Sequence, residues 1–475
     1  MFELHHLSAQ EQWDWLQRGD VSPVELLEHY LTRIDRLNGP LGAFSRVDPD
    51  RALDTAKRLA DRPRSLELWG LPLAEKELSR REGASWTGGS RAFADRVADG
   101  TDDIVRVLDE AGAVSVGATT APEFGMPSYT EPLGRPAASN PYDLSLGAGG
   151  SSGGAAVAVA AGLLPFAPGS DGGGSVRIPA AATGLVGLKP TRGLVPATAD
   201  SLAGFVSNGA LARTVEDAAM LLDAMTARTS GEIDFLSTLR PPDPGRLLGE
   251  AVRGEGRFQI GITTSSPWHD THEIALDPSA RRALDDTIEL LADRGHGLEE
   301  VPFPDSIGYA GAFETVWKAG AAAIPLGDEG LGLVEPLTAW LIREGRSLPV
   351  AALVEALATL SRFEKGVNRA WFSREGARLD AVLTPALALP PRPLGWYDPD
   401  DGAANFAQQV AYTPFTSFVN VSGLPAVTLP VSTTEQGLPM GVQLIGRPGG
   451  EATILSIGRQ LERALQWQRR HPPGW

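Results

Sequence analysis

Two clusters of glycine and serine, separated by a short apolar stretch, constrain this chain more than any other feature of its sequence. The first is Gly149–Gly154, which reads GGSSGG, and the second is Asp171–Ser175, which reads DGGGS. Residues 155–164 between them are small and apolar on every side, as expected of a helix buried among other elements. Glycine lets a ligand approach the main chain closely, although it loses the most conformational entropy on folding. Two such clusters beside a core segment therefore indicate a use for exposed backbone N–H groups.

The composition is that of a large globular protein. Of the 475 residues, 42% are hydrophobic and 21% are charged, which suffices to bury a large core. The formal net charge of −17 repels phosphate backbones and anionic lipids, so we expect neither nucleic acid nor a membrane as a partner. The absence of cysteine excludes disulfides, thiolate nucleophiles and cysteine-bound metals. No basic segment followed by an apolar one opens the sequence, which predicts a cytoplasmic protein.

Local sequence signals predict alternating helices and strands. Ser8 with Glu11, and Ser22 with Glu25, have the spacing of capping boxes that start two helices. Apolar runs that alternate with amphipathic segments predict a largely parallel sheet covered by helices on both faces. Residues 226–257 are rich in glycine, proline, arginine and aspartate, as in a linker or an insertion. Strands are expected near residues 70–77, 113–118, 185–188, 259–263, 298–301, 381–384, 426–431 and 441–446.

One lysine interrupts an apolar, strand-like run. Residues 70–77 read GLPLAEKE, and Lys76 is the cation within them. Lysine is rarely buried without a partner. This run by itself therefore favours an edge strand whose lysine reaches solvent, unless other residues supply a use for a buried amine.

Three kinds of site can be considered for the glycine clusters and for nearby polar residues. A phosphate loop would explain the glycines, but no G-x-x-x-x-G-K-[ST] motif occurs and the third glycine of the dinucleotide fingerprint is missing. Gly149–Gly153 fits G-x-S-x-G, the nucleophile elbow of α/β-hydrolases. That motif needs an acid and a histidine downstream, and it leaves the second cluster unexplained. His269 and His272 lie in a polar stretch without a third spaced ligand, so we expect solvated histidines and no metal.

A pattern that joins both clusters with the lysine is far more specific. It consists of G-x-P-x-A-x-K-E at residues 70–77, G-G-S-S-G-G at 149–154 and D-x-G-G-S-V-R-x-P at 171–179. With this pattern the chain resembles the amidase signature family, whose members hydrolyse amides through a Ser–Ser–Lys triad. The likeness is strong over residues 70–225, the expected catalytic core, and returns in stretches between residues 412 and 446.

The resemblance assigns chemical roles to three residues. It implies that Ser175 is the nucleophile, Lys76 the base and Ser151 the bridge between them, with a cis peptide bond at Gly150–Ser151. A serine hydroxyl is a poor nucleophile until a base takes its proton. A lysine can be that base only when it is neutral, and burial without a carboxylate partner lowers the pKa of an amine. The whole constellation thus favours a buried Lys76 over the edge-strand interpretation.

The resemblance also gives the second glycine cluster a purpose. It implies an oxyanion hole, in which preorganised donors stabilise the tetrahedral intermediate. Its expected donors are the N–H groups of Gly172, Gly173, Gly174 and Ser175. Supporting hydrogen bonds are expected from the side chains of Ser152, Asp171 and Arg177. Many family members have threonine where this chain has glycine at position 172, a departure that loosens the turn or admits a bulkier acyl group.

Aromatic and apolar residues are the candidates for the substrate pocket. The resemblance places pocket walls in the loop before the first cluster, at Phe124, Gly125 and Met126, and in the C-terminal part, residues 300–450. Further candidates are the aromatic residues Trp317, Trp396, Tyr397 and Phe415, for which core packing is the competing interpretation. Few cations lie in these stretches, which predicts an uncharged, partly apolar substrate such as an amide, an aryl amide, an oligoamide or a carbamate (urethane).

The fold that the resemblance implies is one large α/β domain over residues 1–475, with a mixed, twisted sheet covered by helices on both faces. We expect no metal, no organic cofactor, and a monomer or homodimer that acts on a small molecule. Two other functions stay open. The chain could be the glutamine-hydrolysing component of a tRNA-dependent amidotransferase, which would need a partner chain, or a non-catalytic scaffold, which the retained triad residues disfavour.

Overall fold

The structure, a computed structural model, describes residues 3–195, 202–226 and 243–475 apart from 374 and 377. Helices and strands alternate along much of the chain, as the local sequence signals predict. The α-helices are α1 (Ala9–Arg18), α2 (Pro23–Leu41), α3 (Pro49–Arg58), α4 (Asp103–Glu110), α5 (Gly153–Ala160), α6 (Arg177–Thr183), α7 (Val215–Thr226), α8 (Arg246–Arg253), α9 (Pro278–Asp293), α10 (Tyr309–Ala322), α11 (Pro336–Ser347), α12 (Val350–Phe372), α13 (Gly402–Tyr412), α14 (Ser417–Val421) and α15 (Glu451–Leu465). The strands are β1 (Phe44–Val47), β2 (Pro72–Lys76), β3 (Val114–Thr119), β4 (Ser139–Asn140), β5 (Asp143–Gly147), β6 (Phe166–Asp171), β7 (Val186–Lys189), β8 (Ser207–Ala212), β9 (Gln259–Ile262), β10 (Gly297–Glu300), β11 (Ala381–Pro385), β12 (Ala426–Thr433) and β13 (Pro439–Gly446).

The first two helices begin where their sequence signals place them. The hydroxyl of Ser8 accepts a hydrogen bond from the N–H of Glu11, and the carboxylate of Glu11 accepts one from the N–H of Ser8. Ser22 and Glu25 form the same reciprocal pair at the start of α2. Each pair satisfies N–H groups that the first turn of a helix leaves without partners. Both predicted capping boxes are confirmed.

A mixed sheet of eight strands forms the centre of the fold, in the order β10-β9-β11-β13-β12-β7-β8-β6. The neighbours β10, β9 and β11 run parallel, whereas the other neighbouring pairs are antiparallel. The expectation of a largely parallel sheet is therefore wrong, and the mixed sheet that the family resemblance implies is confirmed. Alternation of strands and helices along a chain does not fix which strands become neighbours. Here β8 inserts between β6 and β7, although it follows both in the sequence.

Helices cover both faces of this sheet. Ala381 and Leu383 of β11 belong to one apolar cluster, which includes residues of α7, α9 and α15. Val382, between them, belongs to a second cluster, which includes residues of α10, α12 and α13. Because successive side chains of a strand point to opposite faces, the two clusters lie on opposite sides of the sheet. The predicted α/β architecture with helices on both faces is confirmed.

The apolar stretch between the two glycine clusters forms a buried helix and then a strand. All residues of α5 are buried, as their small apolar side chains predict. The predicted helix extends to Leu164, but α5 ends at Ala160, and β6 begins at Phe166. Sequence reasoning missed β6 because it contains Pro168 and Gly169 and no β-branched residue, a composition that is unusual for a strand.

A second, three-stranded sheet with the order β1-β3-β2 places Lys76. Lys76 ends β2 and pairs in register with Thr119 of β3. As the isolated run favours, β2 is an edge strand of its sheet, but β6 of the large sheet packs beside it. All residues of β2 are consequently buried. The lysine is enclosed between two sheets and does not reach solvent.

Part of the segment predicted as a linker or an insertion packs onto the domain. Residues 243–257 are described and contain α8, of which Leu247 and Ala251 are buried. The N–H groups of Leu247 and Leu248 donate hydrogen bonds to the carboxylate of Asp223 in α7. Residues 227–242 of the same segment lie outside the described residues. Within the described ranges, no helix combines the length and the apolar character needed to cross a membrane.

Candidate active site

Strand ends and loops bring Lys76, Ser151 and Ser175 to one place. Ser151 lies in the loop between β5 and α5, and Ser175 lies in the loop between β6 and α6. Nζ of Lys76 donates a hydrogen bond to Oγ of Ser151 at 2.8 Å, and the Gly150–Ser151 peptide bond is cis, as the resemblance implies. The N–H of Ser152 donates to the carbonyl oxygen of Ser175 at 3.0 Å. The two serine loops are thereby tied together, and Ser151 and Ser175 line a common cavity.

The amine of Lys76 is buried among neutral groups. The residue is 2% exposed, and its Nζ also donates to Oγ of Ser170 at 3.0 Å and to the Ser170 carbonyl oxygen at 3.3 Å. Among the described residues, no carboxylate forms an ion pair with it. Burial lowers the pKa of Lys76 to about 7, and the negative charge of Asp171 offsets only part of this effect. A lysine with such a pKa can accept a proton near neutral pH.

A buried ion pair supports the loop that carries Ser175. Asp171 and Arg177 are both fully buried, and Nη2 of Arg177 lies 2.8 Å from Oδ1 of Asp171. The same carboxylate accepts hydrogen bonds from the N–H groups of Gly174 at 2.8 Å and Val176 at 3.1 Å. Burial favours the protonated carboxyl, but the charge and hydrogen bonds of Arg177 outweigh it and hold the pKa of Asp171 well below its usual range. The loop between β6 and α6 therefore folds around a charged carboxylate.

Polar residues from the C-terminal third complete this support, and sequence reasoning gave them no role. Nη1 of Arg177 donates to Oε1 of Gln443 at 2.6 Å, and its Nη2 donates to Oδ1 of Asn420 at 2.6 Å. Oγ1 of Thr416 donates to the carbonyl oxygen of Gly173 at 2.6 Å. A signal for Gln443 was available, because it is a polar residue in an otherwise apolar strand and a buried amide needs partners. For Ser170, the contact with Lys76 follows only from the packing of β2 beside β6.

The glycine loop before Ser175 uses one of its N–H groups and leaves the others free. Gly174 donates its N–H to Asp171 at 2.8 Å, so the predicted role of Gly174 in an oxyanion hole is wrong. The N–H groups of Gly172, Gly173 and Ser175 have no acceptor within the described part of the chain. Gly174 is required for another reason: its φ is +129°, and a Cβ there would lie 2.4 Å from the Thr416 hydroxyl.

Two cavities share Ser175. The larger has a volume of about 300 Å³ and also reaches Ser151 and Gly172; we call it the Ser151 cavity. The smaller has a volume of about 60 Å³ and reaches Gly173; we call it the Gly173 cavity. None of the described side chains that line either cavity is charged. Apolar side chains of the Ser151 cavity include Leu78, Trp86, Phe205, Val206, Val316 and Ile324. The Gly173 cavity combines Ile178, Trp268, Phe313, Phe406 and Val410 with polar Ser128, Gln409, Thr413 and Ser417.

Several of the predicted pocket residues line these cavities. Met126 and Trp317 border both cavities, while Phe124 and Gly125 border the Ser151 cavity. Phe124 has a φ of +51°, and its N–H donates to the carbonyl oxygen of Gly88 at 2.7 Å, which holds the wall in place. For Trp317, the wall interpretation holds rather than core packing alone.

Trp396, Tyr397 and Phe415 line neither cavity, so the prediction that they form pocket walls is wrong. Tyr397 is buried and stacks on Tyr129, with 4.0 Å between the ring centroids. Trp396 packs edge-on against Tyr397, and Phe415 is 1% exposed in the interior. The irregular segment around Trp396 is joined to β5 by a bridge between Pro393 and Leu146, and Tyr397 belongs to a buried apolar cluster against which Trp396 packs.

His269 and His272 make hydrogen bonds within their own loop. Nδ1 of His269 lies 3.0 Å from the carbonyl oxygen of Ser266, and Nδ1 of His272 lies 2.9 Å from Oγ1 of Thr271. In the part of the chain that the structure describes, neither histidine belongs to a group with metal-ligand spacing. Neither histidine lines the Ser151 cavity or the Gly173 cavity, although Trp268 of the same loop lines the Gly173 cavity.

A comparison with known protein families agrees with the arrangement of Lys76, Ser151 and Ser175. The family model described as Amidase matches residues 25–455. This chain belongs to the amidase (amidase signature) family. The fold and the motif pattern of this amidase are therefore those of its family.

Relatives cover nearly the whole amidase chain. A putative amidase of Synechocystis sp. is 35% identical, over 97% of this chain and 89% of the relative. The 6-aminohexanoate-cyclic-dimer hydrolase of Paenarthrobacter ureafaciens is 30% identical, over 98% of this chain and 96% of the relative. The solved structure of 6-aminohexanoate cyclic dimer hydrolase complexed with substrate superposes with a TM-score of 0.87, at 29% identity and with 99% of both chains covered. The chain is thus a hydrolase of the amidase family, which acts on C–N bonds of amides.

One further relative is part of a tRNA-dependent amidotransferase. The glutamyl-tRNA(Gln) amidotransferase of Chloroflexus aurantiacus contains a chain that is 32% identical to this one, and 99% of both chains is covered. Family membership by itself therefore does not separate the glutamine-hydrolysing alternative from a hydrolase that acts alone.

Proposed function

We propose that this amidase hydrolyses uncharged, partly apolar amides, with Ser175 as nucleophile, Ser151 as proton relay and Lys76 as base. The observation that carries this proposal is the buried amine of Lys76, 2.8 Å from Oγ of Ser151 and without a carboxylate partner in the described residues. An amine that was open to water or bound to a carboxylate would stay protonated and could not act as a base. Retention of all three residues also argues against a scaffold without activity.

The reaction begins with two proton transfers. As Oγ of Ser175 bonds to the carbonyl carbon, its proton passes to Oγ of Ser151, which gives its own proton to Nζ of Lys76. The proton then returns through Ser151 to the amide nitrogen, the C–N bond breaks and the amine leaves. Water attacks the remaining acyl–serine ester by the same route, and Ser175 regains its proton as the carboxylic acid leaves. One amide and one water become one acid and one amine, and the three residues return to their starting protonation states.

The free backbone donors are the groups available to the oxyanion of the tetrahedral intermediate. They are the N–H groups of Gly172, Gly173 and Ser175, since Gly174 donates to Asp171. Loss of one donor of this kind typically costs roughly 2.7–4 kcal/mol of transition-state stabilisation. Asp171 and Arg177 act as positioning residues, because their contacts hold the backbone that presents these donors.

The absence of charge in the described lining of both cavities supports an uncharged substrate. A charged group buried there without a partner would lose its hydration without compensation. Carbamates, and oligoamides without charged ends, fall into the same class, because each has a neutral carbonyl bonded to nitrogen and carries no charged group. We propose them as substrates to be tested beside simple amides.

Glutamine hydrolysis is the competing function, favoured by the likeness to a chain of the Chloroflexus aurantiacus amidotransferase. The acyl part of glutamine carries an ammonium and a carboxylate, and both would need charged or strongly polar partners. Among the described residues, neither cavity beside Ser175 offers a charged side chain, and the polar groups of the Gly173 cavity, such as Gln409 and Ser417, are neutral and cannot balance either charge. We therefore expect glutamine to be a poorer substrate than neutral amides. Release of ammonia from glutamine at a rate that equals or exceeds anilide hydrolysis by the purified chain would reverse this order.

Active-site labelling tests the catalytic roles directly. A fluorophosphonate should add covalently to one serine of the native chain, and intact mass should show no adduct in Ser175→Ala. Lys76→Ala should remove nearly all turnover of a p-nitroanilide, whereas Ser151→Ala should retain a small part of it. Ser347→Ala is the matched control, because Ser347 is an exposed residue at the end of α11. Labelling that persists in Ser175→Ala would contradict the proposal.

A further inference from the structure

The two cavities at Ser175 differ in size and in the catalytic groups that they reach. The Ser151 cavity contains the proton relay, the glycine at position 172 and about 300 Å³ of space. The Gly173 cavity contains the neighbouring glycine of the loop, has about 60 Å³ of space and does not border Ser151. Ser175 borders both. A carbonyl carbon bonded to Ser175 therefore has two unequal spaces for its two substituents.

The proton route decides which substituent lies in which cavity. The departing nitrogen must receive a proton from Oγ of Ser151, because that hydroxyl connects the reacting centre to Lys76. A proton donor must lie within hydrogen-bond distance of the atom that it protonates. The nitrogen, and the group attached to it, must therefore lie on the side of Ser151. The acyl chain is left with the Gly173 cavity.

We infer that the Ser151 cavity binds the amine half of the substrate and the Gly173 cavity binds the acyl half, so that the preferred substrates are amides of short carboxylic acids with bulky aromatic amines. This inference rests on the proposed function and specifies its substrate class. Three further observations support it: the volumes of the cavities, the absence of charge among the described residues that line them, and the glycine at position 172.

The volumes match a ring on one side and a short chain on the other. A cavity of about 150 Å³ takes up a benzene molecule, and a single water needs roughly 10–15 Å³. The Ser151 cavity, about 300 Å³, therefore has room for a substituted aromatic ring. The Gly173 cavity, about 60 Å³, has room for only a few heavy atoms. Acetyl or propionyl groups fit within this space, whereas a hexanoyl group would extend beyond it.

The lining of the Ser151 cavity also discriminates between kinds of amine. An aliphatic amine becomes an ammonium ion on release at neutral pH, whereas an arylamine stays neutral because its lone pair is delocalised into the ring. Among the described residues that line this cavity, none is a carboxylate that could stabilise an ammonium. Aromatic side chains such as Trp86, Phe124 and Trp317 provide faces against which a neutral ring can pack.

Glycine at position 172 contributes to the space for the amine. A Cβ at this position would point into the Ser151 cavity, 3.2 Å from Cγ2 of Val206 and 3.6 Å from the indole of Trp317. A threonine at position 172, as in many members of the family, would place two further heavy atoms between these walls. The glycine at position 172 thus enlarges the cavity that we assign to the amine half. The sequence by itself suggests, as one alternative, more space for the acyl group instead.

The inference is tested with two substrate series assayed by chromatographic detection of the released amine. The acyl series is acetanilide, butyranilide and hexananilide; the amine series is acetamide, N-cyclohexylacetamide, acetanilide and N-(2-naphthyl)acetamide. We expect kcat/KM to fall at least about 10-fold from acetyl to hexanoyl, since a misfit of a few methylenes has effects of this size. It should be highest for the two aryl amides. Aniline is also an intrinsically better leaving group, so the pocket effect is read from variants.

Paired variants separate the two cavities. Val410→Phe adds a ring to the lining of the Gly173 cavity, and Ile324→Phe adds one to the lining of the Ser151 cavity. Val410→Phe should lower the butyryl-to-acetyl ratio of kcat/KM at least about 10-fold and leave the naphthyl-to-phenyl ratio unchanged. Ile324→Phe should do the reverse. If either variant does not fold, Val410→Ala and Ile324→Ala should change the same ratios in the opposite direction.

The outcomes distinguish this inference from the proposed function. If Val410 variants alter selectivity for the amine and Ile324 variants alter selectivity for the acyl chain, the inference is overturned while the hydrolase assignment stands. The same holds if hexananilide is cleaved as fast as acetanilide by the native chain. If no substrate is cleaved and fluorophosphonate fails to label Ser175, the proposed function itself fails.

Discussion

Replacing Lys76 with methionine should abolish turnover and, near neutral pH, raise the free energy of unfolding. Burial lowers the pKa of Lys76 from 10.5 to about 7. Each pH unit of such a difference corresponds to about 1.4 kcal/mol, so the buried amine destabilises the native state by about 5 kcal/mol below pH 7. Methionine has a similar length and removes this term. It also removes three hydrogen bonds, to Ser151 and to Ser170, each worth about 1 kcal/mol. The net gain is about 2 kcal/mol.

The difference in the free energy of unfolding between Lys76→Met and the native protein should change sign with pH. Between pH 7 and 10.5 the unfolded chain binds a proton at Lys76 that the folded chain does not, so the native protein becomes more stable as the pH rises. The methionine variant lacks this gain. Its advantage should therefore shrink above pH 7, vanish at about pH 8, and become a deficit of about 3 kcal/mol at higher pH, where only the lost hydrogen bonds count.

Urea denaturation of both proteins at pH 6, 7.5 and 9.5 measures this difference. Lys189→Met is a matched control, because Lys189 is also fully buried and its pKa is also lowered to about 7 by burial. It should show a similar pH-dependent gain in stability. If Lys76→Met is less stable than the native protein by the same amount at every pH, Lys76 is not held in a state that favours the neutral amine. The neutral-base reasoning would then be refuted.

Three further predictions concern the same site and its supporting loop. The kcat/KM for an anilide should rise with pH through about 7, since burial lowers the pKa of Lys76 to that value and only the neutral amine accepts the proton; a profile that is flat from pH 5 to 9 would count against this base. Asp171→Ala should lower the free energy of unfolding by roughly 3–5 kcal/mol, because it leaves the guanidinium of Arg177 buried and unpaired; thermal unfolding measures the loss, and an unchanged midpoint would contradict it. Gly174→Ala should abolish labelling by fluorophosphonate, because its φ of +129° and the 2.4 Å approach of a Cβ to Thr416 force the loop to move. Its control, Gly366→Ala in α12, meets no atom within 4 Å and should stabilise the chain by roughly 0.5–1 kcal/mol; equal labelling of both variants would show that the loop tolerates a side chain.

The elements that could be predicted from the sequence are those whose cause is local. Both capping boxes are confirmed because a serine and a glutamate three residues apart bond to each other's backbone within one turn. The small apolar residues of α5 likewise predict a buried helix wherever the chain places it. In contrast, the pairing of strands is non-local, and a largely parallel sheet was expected where most neighbours are antiparallel. The strand β6 was missed because the large sheet imposes an extended conformation on a sequence that contains proline and glycine.

In the candidate site, too, some features could be predicted from the sequence and others could not. The motif residues Lys76, Ser151 and Ser175 come together as expected, whereas Trp396, Tyr397 and Phe415 lie away from both cavities. Aromatic composition alone does not distinguish a pocket wall from a core residue, because both are apolar positions. The occupied N–H of Gly174 could not be predicted either, since it depends on where the Asp171 carboxylate points after Arg177 is buried.

The sequence by itself determined the chemistry that this chain can attempt: two serines, a lysine and a run of glycines in a spacing shared with one family. Only the tertiary structure decided whether that chemistry has the conditions it needs. The packing of β2 beside β6 removes water from the Lys76 amine, and the ion pair beneath the glycine loop selects which N–H groups stay free. Both effects arise between segments that are far apart in the chain, and the free energy of a buried charge or donor depends on those distant neighbours rather than on the residue itself.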